Sequence, residues 1–544
     1  MPTEHIRLHK LQSSTTISSQ KMNLRGPQNQ VMYFRLKLLS PLHIGCDEVY
    51  EPTSFVIDEK RNALISFDPF DLLEKMDTNA RQKFSKICQE GTINSLLEIY
   101  KFIYQHAKNA EGEQVVISKD LIGHYQQVLT KMPINEKDIK QELNNFKISR
   151  TAFNPFTNIS YIPGSSMKGA IRTAVLNWRN QGKKEQKESF FSEKDANREL
   201  QKHLLSFDSL QTDPFRMLKV SDFMPITEPR RSIVYGVNRK KKMSKKEAAG
   251  PYQLMEVIEP GAEFIGMFSL TTPEEKAGIN KPITKEELIE ALKFYRKEKA
   301  REDNELKAIA IPPVSLDSNL TGHLIRIGRH SGAECVTIEG RRKIKILQGK
   351  RNPAKTLEYA TTIWLAAPSK TPSDNRMLRP FGWAILQEIN KNDWLDLMQQ
   401  QDAFLKSRLA VLQERTAQKI KEDERIRSEL AAKEAEKQRK EAEEQRRMKE
   451  EASLMAKWNA MTEEERELAC IRQDELAIRF DKTNANDPIS AIWKKLDTAS
   501  PEHQKALARA FMERWQAEGK WTKKECSKKQ FEKVQKVKEI LGIS

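Results

Sequence analysis

The chain has 544 residues, with 93 Lys or Arg against 76 Asp or Glu, and its formal net charge is +17 at pH 7. This length exceeds one average domain and predicts two to four units of about 100–200 residues each. The basic excess favours an acidic partner, nucleic acid ahead of a membrane surface. Neither a signal-peptide core nor an apolar run of membrane-spanning length is present in the sequence, so we expect a soluble cytoplasmic protein.

The cysteines are few and scattered, and none belongs to a C-x-x-C pair. They stand at Cys46, Cys88, Cys335, Cys470 and Cys526. An odd number without paired spacing argues against a disulfide framework and against a zinc site. We therefore expect no structural metal and no cofactor, and a reducing compartment.

The first part of the chain predicts a leader, a strand and a helical insertion. Residues 1–30 are polar without periodicity, which is typical of a flexible leader. Apolar and polar residues then alternate from Met32 to Leu38, which predicts a strand with one buried face. A second short strand and a turn are expected within 55–70, and the helical pattern that follows predicts an insertion at about 71–145.

Residues 161–180 (YIPGSSMKGAIRTAVLNWRN) predict a turn followed by an amphipathic helix. The helix is expected to begin at Ser165 or Ser166, because a serine hydroxyl can cap a helix by accepting an N–H. The apolar face, at spacings of three and four, consists of Met167, Ile171, Ala174 and Trp178. Free amides, two hydroxyls and a basic stripe predict a phosphate clamp of Ser165, Ser166, Lys168 and Arg172. The alternative is an ordinary capped helix whose basic face meets only water.

The rest of the chain alternates short strands with charged segments. Strands are expected at 218–223 and 263–270, and the segment 239–246 (RKKKMSKK) predicts a loop or a disordered hairpin tip because six of its eight residues are basic. A charged helix is expected at 284–310, and the last strands at 323–330 and 361–388. Residues 396–460 lack a sustained apolar seam and predict a long, exposed charged helix, followed by a small helical unit at 461–544.

The segment IPGSSMKGAIRTAVL resembles the signature of the RAMP superfamily of CRISPR RNA-binding proteins. Four further segments are similar to family elements in the expected order. These are LLSPLHIG at 38–45, LKVSDF at 218–223 (a central strand), HLIRIGRHSG at 323–332 and PFGW at 380–383. The ordered set is far more specific than one motif, and it identifies residues 31–395 as a RAMP region.

The resemblance implies both a fold and a function. The fold is α+β, with a ferredoxin-like (RRM-like) sheet and helical insertions. Within the superfamily the chain is most similar to the subunit that caps the type III-A (Csm) complex at the crRNA 3′ side. This implies a non-catalytic crRNA-binding subunit of a type III ribonucleoprotein effector in antiviral defence. The expected partners are crRNA, adjacent RAMP backbone subunits and, indirectly, target RNA, but no membrane.

Two loops carry the remaining predicted RNA contacts. Gly45 lets a ligand approach the backbone, and His43 beside it can stack or form a hydrogen bond, although a packing histidine is an equal alternative.

In the glycine-rich loop, the family resemblance implies RNA contacts by Arg326, Gly328, Arg329 and His330. Glycines can turn successive amides into an anion nest, and arginines can bind phosphate in bidentate fashion. The alternative is a plain hairpin turn with exposed charge.

Catalysis is not expected. Related type III backbone subunits cleave target RNA with an Asp after the first strand, and Thr53-Ser54 stand in the comparable place here. Hydroxyls cannot supply the charge that holds a metal ion for phosphodiester cleavage. The alternative is a crRNA-processing RAMP endoribonuclease with His43 as general acid or base. A third hypothesis, from 400–544 alone, is an interaction protein whose long helix spaces a binding module from a partner.

Overall fold

The structure is a computed structural model. It describes residues 29–108, 110–130, 136–184, 195–243, 248, 250–316, 321–347, 353–481 and 488–544. The chain divides into two compact units, Met1–Gln413 and Glu414–Ser544. The predicted leader lies outside the described residues up to residue 28. The predicted boundaries at 395 and 460 stay predictions.

The first unit contains all of the strands found within the described ranges. They are β1 (Asn29–Leu38), β2 (Gly45–Val49), β3 (Phe55–Asp58), β4 (Ala63–Ser66), β5 (Glu113–Val116), β6 (Ile148–Thr151), β7 (Leu218–Val220), β8 (Met224–Pro225), β9 (Arg231–Lys240), β10 (Gln253–Ile258), β11 (Glu263–Thr271), β12 (His323–Arg326), β13 (Ile344–Ile346), β14 (Lys355–Leu357), β15 (Thr362–Ala367), β16 (Arg379–Pro380) and β17 (Trp383–Ile389).

Helices occur in both units. They are α1 (Pro69–Glu74), α2 (Thr78–Glu90), α3 (Ile93–His106), α4 (Lys119–Thr130), α5 (Glu136–Asn145), α6 (Gly164–Asn180), α7 (Ala196–Leu205), α8 (Lys285–Ala291), α9 (Lys293–Ala308), α10 (Lys391–Ala460), α11 (Glu463–Arg472), α12 (Glu475–Phe480), α13 (Pro488–Lys495), α14 (Pro501–Ala517) and α15 (Lys528–Leu541). The predicted mixture of helices and strands, with a long charged helix, is confirmed. Among the described residues, no helix has the length and hydropathy that a membrane crossing needs.

The first sheet positions the candidate site. Its order is β12-β17-β1-β11-β7, with β8 also paired to β11, and β1 runs antiparallel to both of its neighbours. Phe34 and Leu36 of β1 are buried while Arg35 and Lys37 are half-exposed, as the predicted alternation requires. Their core includes residues of α6, α8 and α9, so these helices cover the buried face of the sheet.

The second sheet has the order β2-β6-β10-β9-β5-β4-β3, and β15 and β16 extend from β9. A second core joins this sheet to α3 and α4, and its aromatic members include Phe55, Tyr100, Tyr125, Phe146 and Tyr235. The expected insertion at 71–145 is mostly helical, but it also contributes β5 to this sheet. The sequence missed β5 because only Val115 of its four residues is buried.

Two predicted elements differ from the structure. The strand at 218–223 resembled a central strand, but β7 lies at the end of its sheet and pairs with β11 alone among the described strands. The basic segment 239–246 was predicted as a loop or a disordered hairpin tip, yet Arg239 and Lys240 pair with β15, and Lys241 is buried beside Glu334 and Glu305. Carboxylates distant in sequence neutralise Lys241, which a count of local charge cannot anticipate. Residues 244–246 lie outside the described residues.

The second unit is helical in its described part. Helices α11, α13, α14 and α15 surround an apolar core in which Ile471, Leu507, Phe511 and Val537 are fully buried. Thr462 begins α11 with a capping box, in which its hydroxyl and the Glu465 carboxylate each accept the other residue's backbone N–H.

Candidate nucleic-acid interface

Helix α6 begins at Gly164, one or two residues earlier than the sequence suggested. Its N-cap is Pro163, and neither Ser165 nor Ser166 caps it. The Gly164 N–H instead donates to Asp222 Oδ1 at 2.8 Å, so a carboxylate from the β7–β8 loop takes the place of the expected serine. A Cβ on Gly164 would lie 2.4 Å from the Val220 carbonyl oxygen, which explains why glycine stands at this close approach. Ser165 is exposed and Ser166 is half-buried.

One cavity of about 370 Å³ brings together three segments that are far apart in the sequence. We call it the glycine groove. Its walls come from the β1–β2 loop with the start of β2, the first three turns of α6, and the end of β12 with the segment that follows it. Tyr295 of α9 also contributes to the lining. The predicted residues that line it are Gly45, Ser166, Arg326, Gly328 and Arg329. Each of these three segments therefore contains at least one residue that was predicted from the sequence.

The loop after β12 is fixed against the β1–β2 loop. The Arg329 N–H donates to the His43 carbonyl oxygen at 2.8 Å. Gly328 has φ +81°, and a Cβ there would lie 2.5 Å from the same oxygen, so this contact requires glycine. The Ile327 N–H donates to Gly382 O, so the amides of residues 327 and 329 bind the protein itself. The predicted anion nest stays a prediction, and these two amides are already engaged with backbone carbonyls. The Arg329 side chain is exposed.

Arg326 is not on the surface, and its guanidinium is already engaged inside the protein, so its predicted phosphate contact stays a prediction. The residue is 3 % exposed, and its guanidinium Nη1 lies 2.6 Å from Glu302 Oε1. Its Nε–H donates to the Phe381 carbonyl oxygen at 2.9 Å, and the guanidinium lies 4.8 Å from the Trp383 ring centroid. Its Nη2 has no hydrogen-bond partner among the described residues. Its opposite charge, Glu302, comes from α9, which nothing in the loop's own sequence indicates.

Both predicted histidines are held inside the protein. His43 is fully buried, and its Nδ1 lies 2.7 Å from the Glu256 carbonyl oxygen, to which it must donate. Burial, with the nearby Arg329, lowers the pKa of His43 below its ordinary value. His330 stacks on Trp364 at a centroid distance of 4.7 Å, and burial lowers its pKa to about 3. Both rings are therefore neutral at pH 7 and give the groove no positive charge.

Lys168 and Arg172 do not line the glycine groove. They line a separate cavity of about 340 Å³ together with Asp213, Phe215 and Arg216. The Arg172 guanidinium lies 2.9 Å from Asp213 and 4.9 Å from the Phe215 ring centroid, so this charge is already paired. Partial burial lowers the pKa of Lys168, against the opposing effect of Asp213. The predicted four-residue clamp is therefore divided: Lys168 and Arg172 line one cavity, Ser166 lines the other, and Ser165 lines neither.

Several residues of α6 that line the glycine groove were not predicted from the sequence. Gly169, Ala170 and Thr173 line the groove with Ser166. They follow Ser166 by three, four and seven positions, which is the spacing of one helical face. This spacing could have identified them, but the prediction followed the basic residues on the neighbouring face of the helix. Within the described ranges, no cluster of three or more His, Cys, Asp and Glu is placed to hold a metal ion.

Comparison with known families supports the resemblance. The family model of the RAMP superfamily matches residues 35–329, more than half of the chain. The chain belongs to the RAMP superfamily, and the resemblance inferred from its motifs is confirmed.

Two curated relatives carry the name Csm5 of a CRISPR system. The protein from Methanocaldococcus jannaschii is 28% identical over 236 residues, which are 41% of this chain and 51% of that protein. The protein from Streptococcus thermophilus is 26% identical over 273 residues, 46% of this chain and 67% of that protein. The chain thus spans about half to two thirds of the length of these relatives.

Two solved structures are also similar. One is a chain of a type III-A Csm–crRNA–target RNA ternary complex, with 17% identity, a TM-score of 0.42, and coverage of 66% of this chain and 100% of that chain. The other is the crystal structure of Csm5 from T. onnurineus, with 16% identity, a TM-score of 0.36, and coverage of 64% and 99%.

Proposed function

We propose that this chain is an RNA-binding subunit of a type III CRISPR effector and that the glycine groove holds the backbone of the guide RNA. The observation that carries the proposal is the meeting of three family-matching segments at one groove. Ser166 and the exposed Arg329 offer a hydroxyl and a cation there, and Gly45 leaves room for a close approach of the backbone. The names of the curated relatives support a place in a Csm complex.

Backbone contacts rather than a base code suit a guide strand. Arg329 can bind a phosphate oxygen, whereas the neutral His43 and His330 cannot supply charge. Affinity then falls steeply with salt, because bound cations release counterions from the RNA. The net charge of +17 adds a long-range attraction for the same partner.

The position of the subunit within the complex is proposed from the family resemblance. We propose that the subunit caps the complex at the crRNA 3′ side, beside adjacent RAMP backbone subunits, and meets target RNA only indirectly. Native purification of the complex, followed by cross-linking, tests this position. Guides that carry a repeat-derived 5′ tag and cross-link to this chain near their 3′ ends support it, and cross-links confined to the 5′ tag overturn it.

We also propose that the first sheet is the ferredoxin-like sheet of the predicted fold. The strands β17, β1, β11 and β7 lie side by side in that order, with β1 in an interior position. Between β1 and β7 the chain forms α6, and between β11 and β17 it forms α8 and α9. This alternation of strands and helices is that of a split βαβ arrangement.

Binding rather than cleavage is the activity that the site supports. His43, the one candidate for a general acid or base, is fully buried and donates its Nδ1–H to a backbone carbonyl. A general base must reach the proton that it removes, and this ring is enclosed by protein. We therefore propose that the subunit is non-catalytic. Cleavage of repeat RNA by the purified wild-type chain, abolished on replacing His43, would contradict this.

The proposed binding is tested by reversing one positive charge in each of the two cavities. Arg172 is unsuitable for charge reversal, because the substitution would also remove the cation that pairs with Asp213. The double variant Lys168→Glu with Arg329→Glu reverses one charge in each cavity. Its matched control is Lys83→Glu with Lys86→Glu, two exposed lysines of α2 that line neither cavity.

Fluorescence anisotropy of the full chain with single-stranded RNA, at several salt concentrations, measures the effect. We expect the variant with Lys168→Glu and Arg329→Glu to bind more weakly. Its salt slope should be shallower by roughly 0.7 for each phosphate that the protein no longer neutralises, with a smaller, non-local effect in the control. Equally weak binding by both variants would reduce the proposal to general charge attraction.

A further inference from the structure

The residues that line the glycine groove suit a pocket for a small planar group as well as a binding surface for phosphates. Its buried lining residues are mostly apolar and include Tyr295 and Cys335, which are 0 % and 1 % exposed. Its exposed lining residues include Gly45 and Gly169, which have no side chains to obstruct the entrance. Buried residues form the bottom and exposed residues form the rim. The volume of about 370 Å³ lies within the range of roughly 300–1,000 Å³ that is usual for small-ligand sites.

At the bottom stands a polar group whose hydrogen bonding is incomplete. Arg326 lines the cavity, and its guanidinium contacts Glu302, Phe381, Cys335 and Trp383. Its Nη2 remains without a hydrogen-bond partner among the described residues. A buried donor without an acceptor is costly, and an acceptor that enters the cavity would remove that cost.

The charge at the bottom decides which acceptor fits. Glu302 lies 2.6 Å from Arg326, and its other carboxylate oxygen accepts from Trp383 Nε1 at 2.6 Å. The buried pair therefore has no net charge. A phosphate placed against it would leave one negative charge buried without compensation, which is strongly unfavourable. A neutral acceptor, such as a ring nitrogen or carbonyl oxygen, brings no such penalty.

We propose that the glycine groove receives one extruded nucleobase of the bound RNA, with an acceptor on the base edge meeting Arg326 Nη2 and the flanking phosphates held at the rim by Ser166 and Arg329. Every base carries an acceptor atom, so the pocket tolerates any sequence, as a guide of variable sequence requires. The inference rests on the proposed function and adds the chemistry of the bound group.

A substitution at Gly169 tests the base pocket separately from the phosphate contacts. It lies within α6 and lines the groove, and a Cβ there meets nothing within 4 Å. Gly169→Leu therefore fills the groove without a clash at Cβ, and leucine favours a helix far more than glycine does. The matched control is Gly123→Leu, because Gly123 lies within α4 and its Cβ position is also open within 4 Å.

The probes are two single-stranded RNAs of equal length, a uridine oligomer and a fully abasic oligomer that keeps the sugar-phosphate backbone. For the full-length chain, we expect Gly169→Leu to weaken binding of the uridine oligomer by roughly tenfold, the scale of a single base contact, and to leave the abasic oligomer unaffected. Arg326→Lys, which keeps a charge opposite Glu302 but removes Nη2, should show the same selective weakening. Gly123→Leu should change neither affinity.

Each outcome decides between the two proposals. If Gly169→Leu weakens both oligomers equally, the groove carries backbone only and the base pocket is wrong. No change with either oligomer also overturns the base pocket. If the wild-type chain binds neither oligomer, the proposed function itself fails. If Arg326→Lys unfolds the chain, Gly169→Leu alone decides the question.

Discussion

The backbone N–H of Arg329 donates to the carbonyl oxygen of His43 at 2.8 Å, which ties the loop after β12 to the loop after β1. The two strands are not neighbours in the first sheet, since β17 lies between them. The contact therefore closes a bridge over the end of β17 and holds two walls of the glycine groove at a fixed spacing. The groove is shaped by backbone contacts, and the exposed side chain of Arg329 is left to meet a ligand.

The first prediction concerns Gly328 in that bridge. Gly328→Ala places a Cβ 2.5 Å from His43 O at φ +81°, so we expect a loss of stability beyond the roughly 1–2 kcal/mol of the backbone conformation alone. Gly182→Ala is the control, because Gly182 also has a positive φ but open space around its Cβ. Chemical denaturation of both variants measures the difference, and equal losses would mean that the bridge is not tight.

The second prediction concerns the buried pair beneath the groove. Glu302→Gln leaves the Arg326 charge buried without its partner, so the free energy of unfolding should fall by about 3–5 kcal/mol. Glu422→Gln removes the partner of Arg425 on the exposed α10 and should cost less than about 1 kcal/mol. Urea denaturation compares the two, and a small effect at Glu302 would show that water reaches Arg326.

The third prediction is a pH dependence of stability from His330. Its pKa is about 3 in the folded protein, below the value of about 6.5 expected in an unfolded chain. As pH falls from about 6.5 towards 3, the unfolded state takes up a proton that the folded state excludes, so stability should decline in this window. The stabilising contribution is fully present above that window. His330→Asn, which tolerates the positive φ of this position, should make the decline shallower. An unchanged slope in thermal melting between about pH 7 and 4 would contradict the assignment.

The fourth prediction contrasts two glycines of α6. Gly169→Ala should raise the free energy of unfolding by up to about 1 kcal/mol, because alanine favours a helix and its Cβ meets no atom within 4 Å. Gly164→Ala should lower it, because the Cβ would lie 2.4 Å from Val220 O and 2.7 Å from Ser221 O. Thermal melting of the two variants, with the wild type, checks the opposite signs.

The sequence predicted what depends on local pattern. The alternation from Met32 to Leu38 indicated the strand β1, and the spacing of Met167, Ile171 and Ala174 indicated the buried face of α6. Trp178 was placed on that face but is 44 % exposed, whereas Asn177 and Asn180 in the same turn are buried. Motif order located all three walls of the groove.

Features that depend on distant partners could not be predicted. Asp222 replaces the serine cap of α6, and Glu302 withdraws Arg326 from the surface. Asp213 occupies Arg172 in the same way. In each case an acidic residue from another element decides where a donor points, and charge alone in the local sequence cannot distinguish a paired side chain from an unpaired one.

The division of α6 between two cavities has a consequence for how the protein can change. Ser166, Gly169 and Thr173 serve one flank of the helix, and Lys168 and Arg172 serve the other. A mutation on either flank can adjust its own contact while the opposite contact keeps its geometry. The two binding surfaces of this single helix can therefore evolve independently of each other.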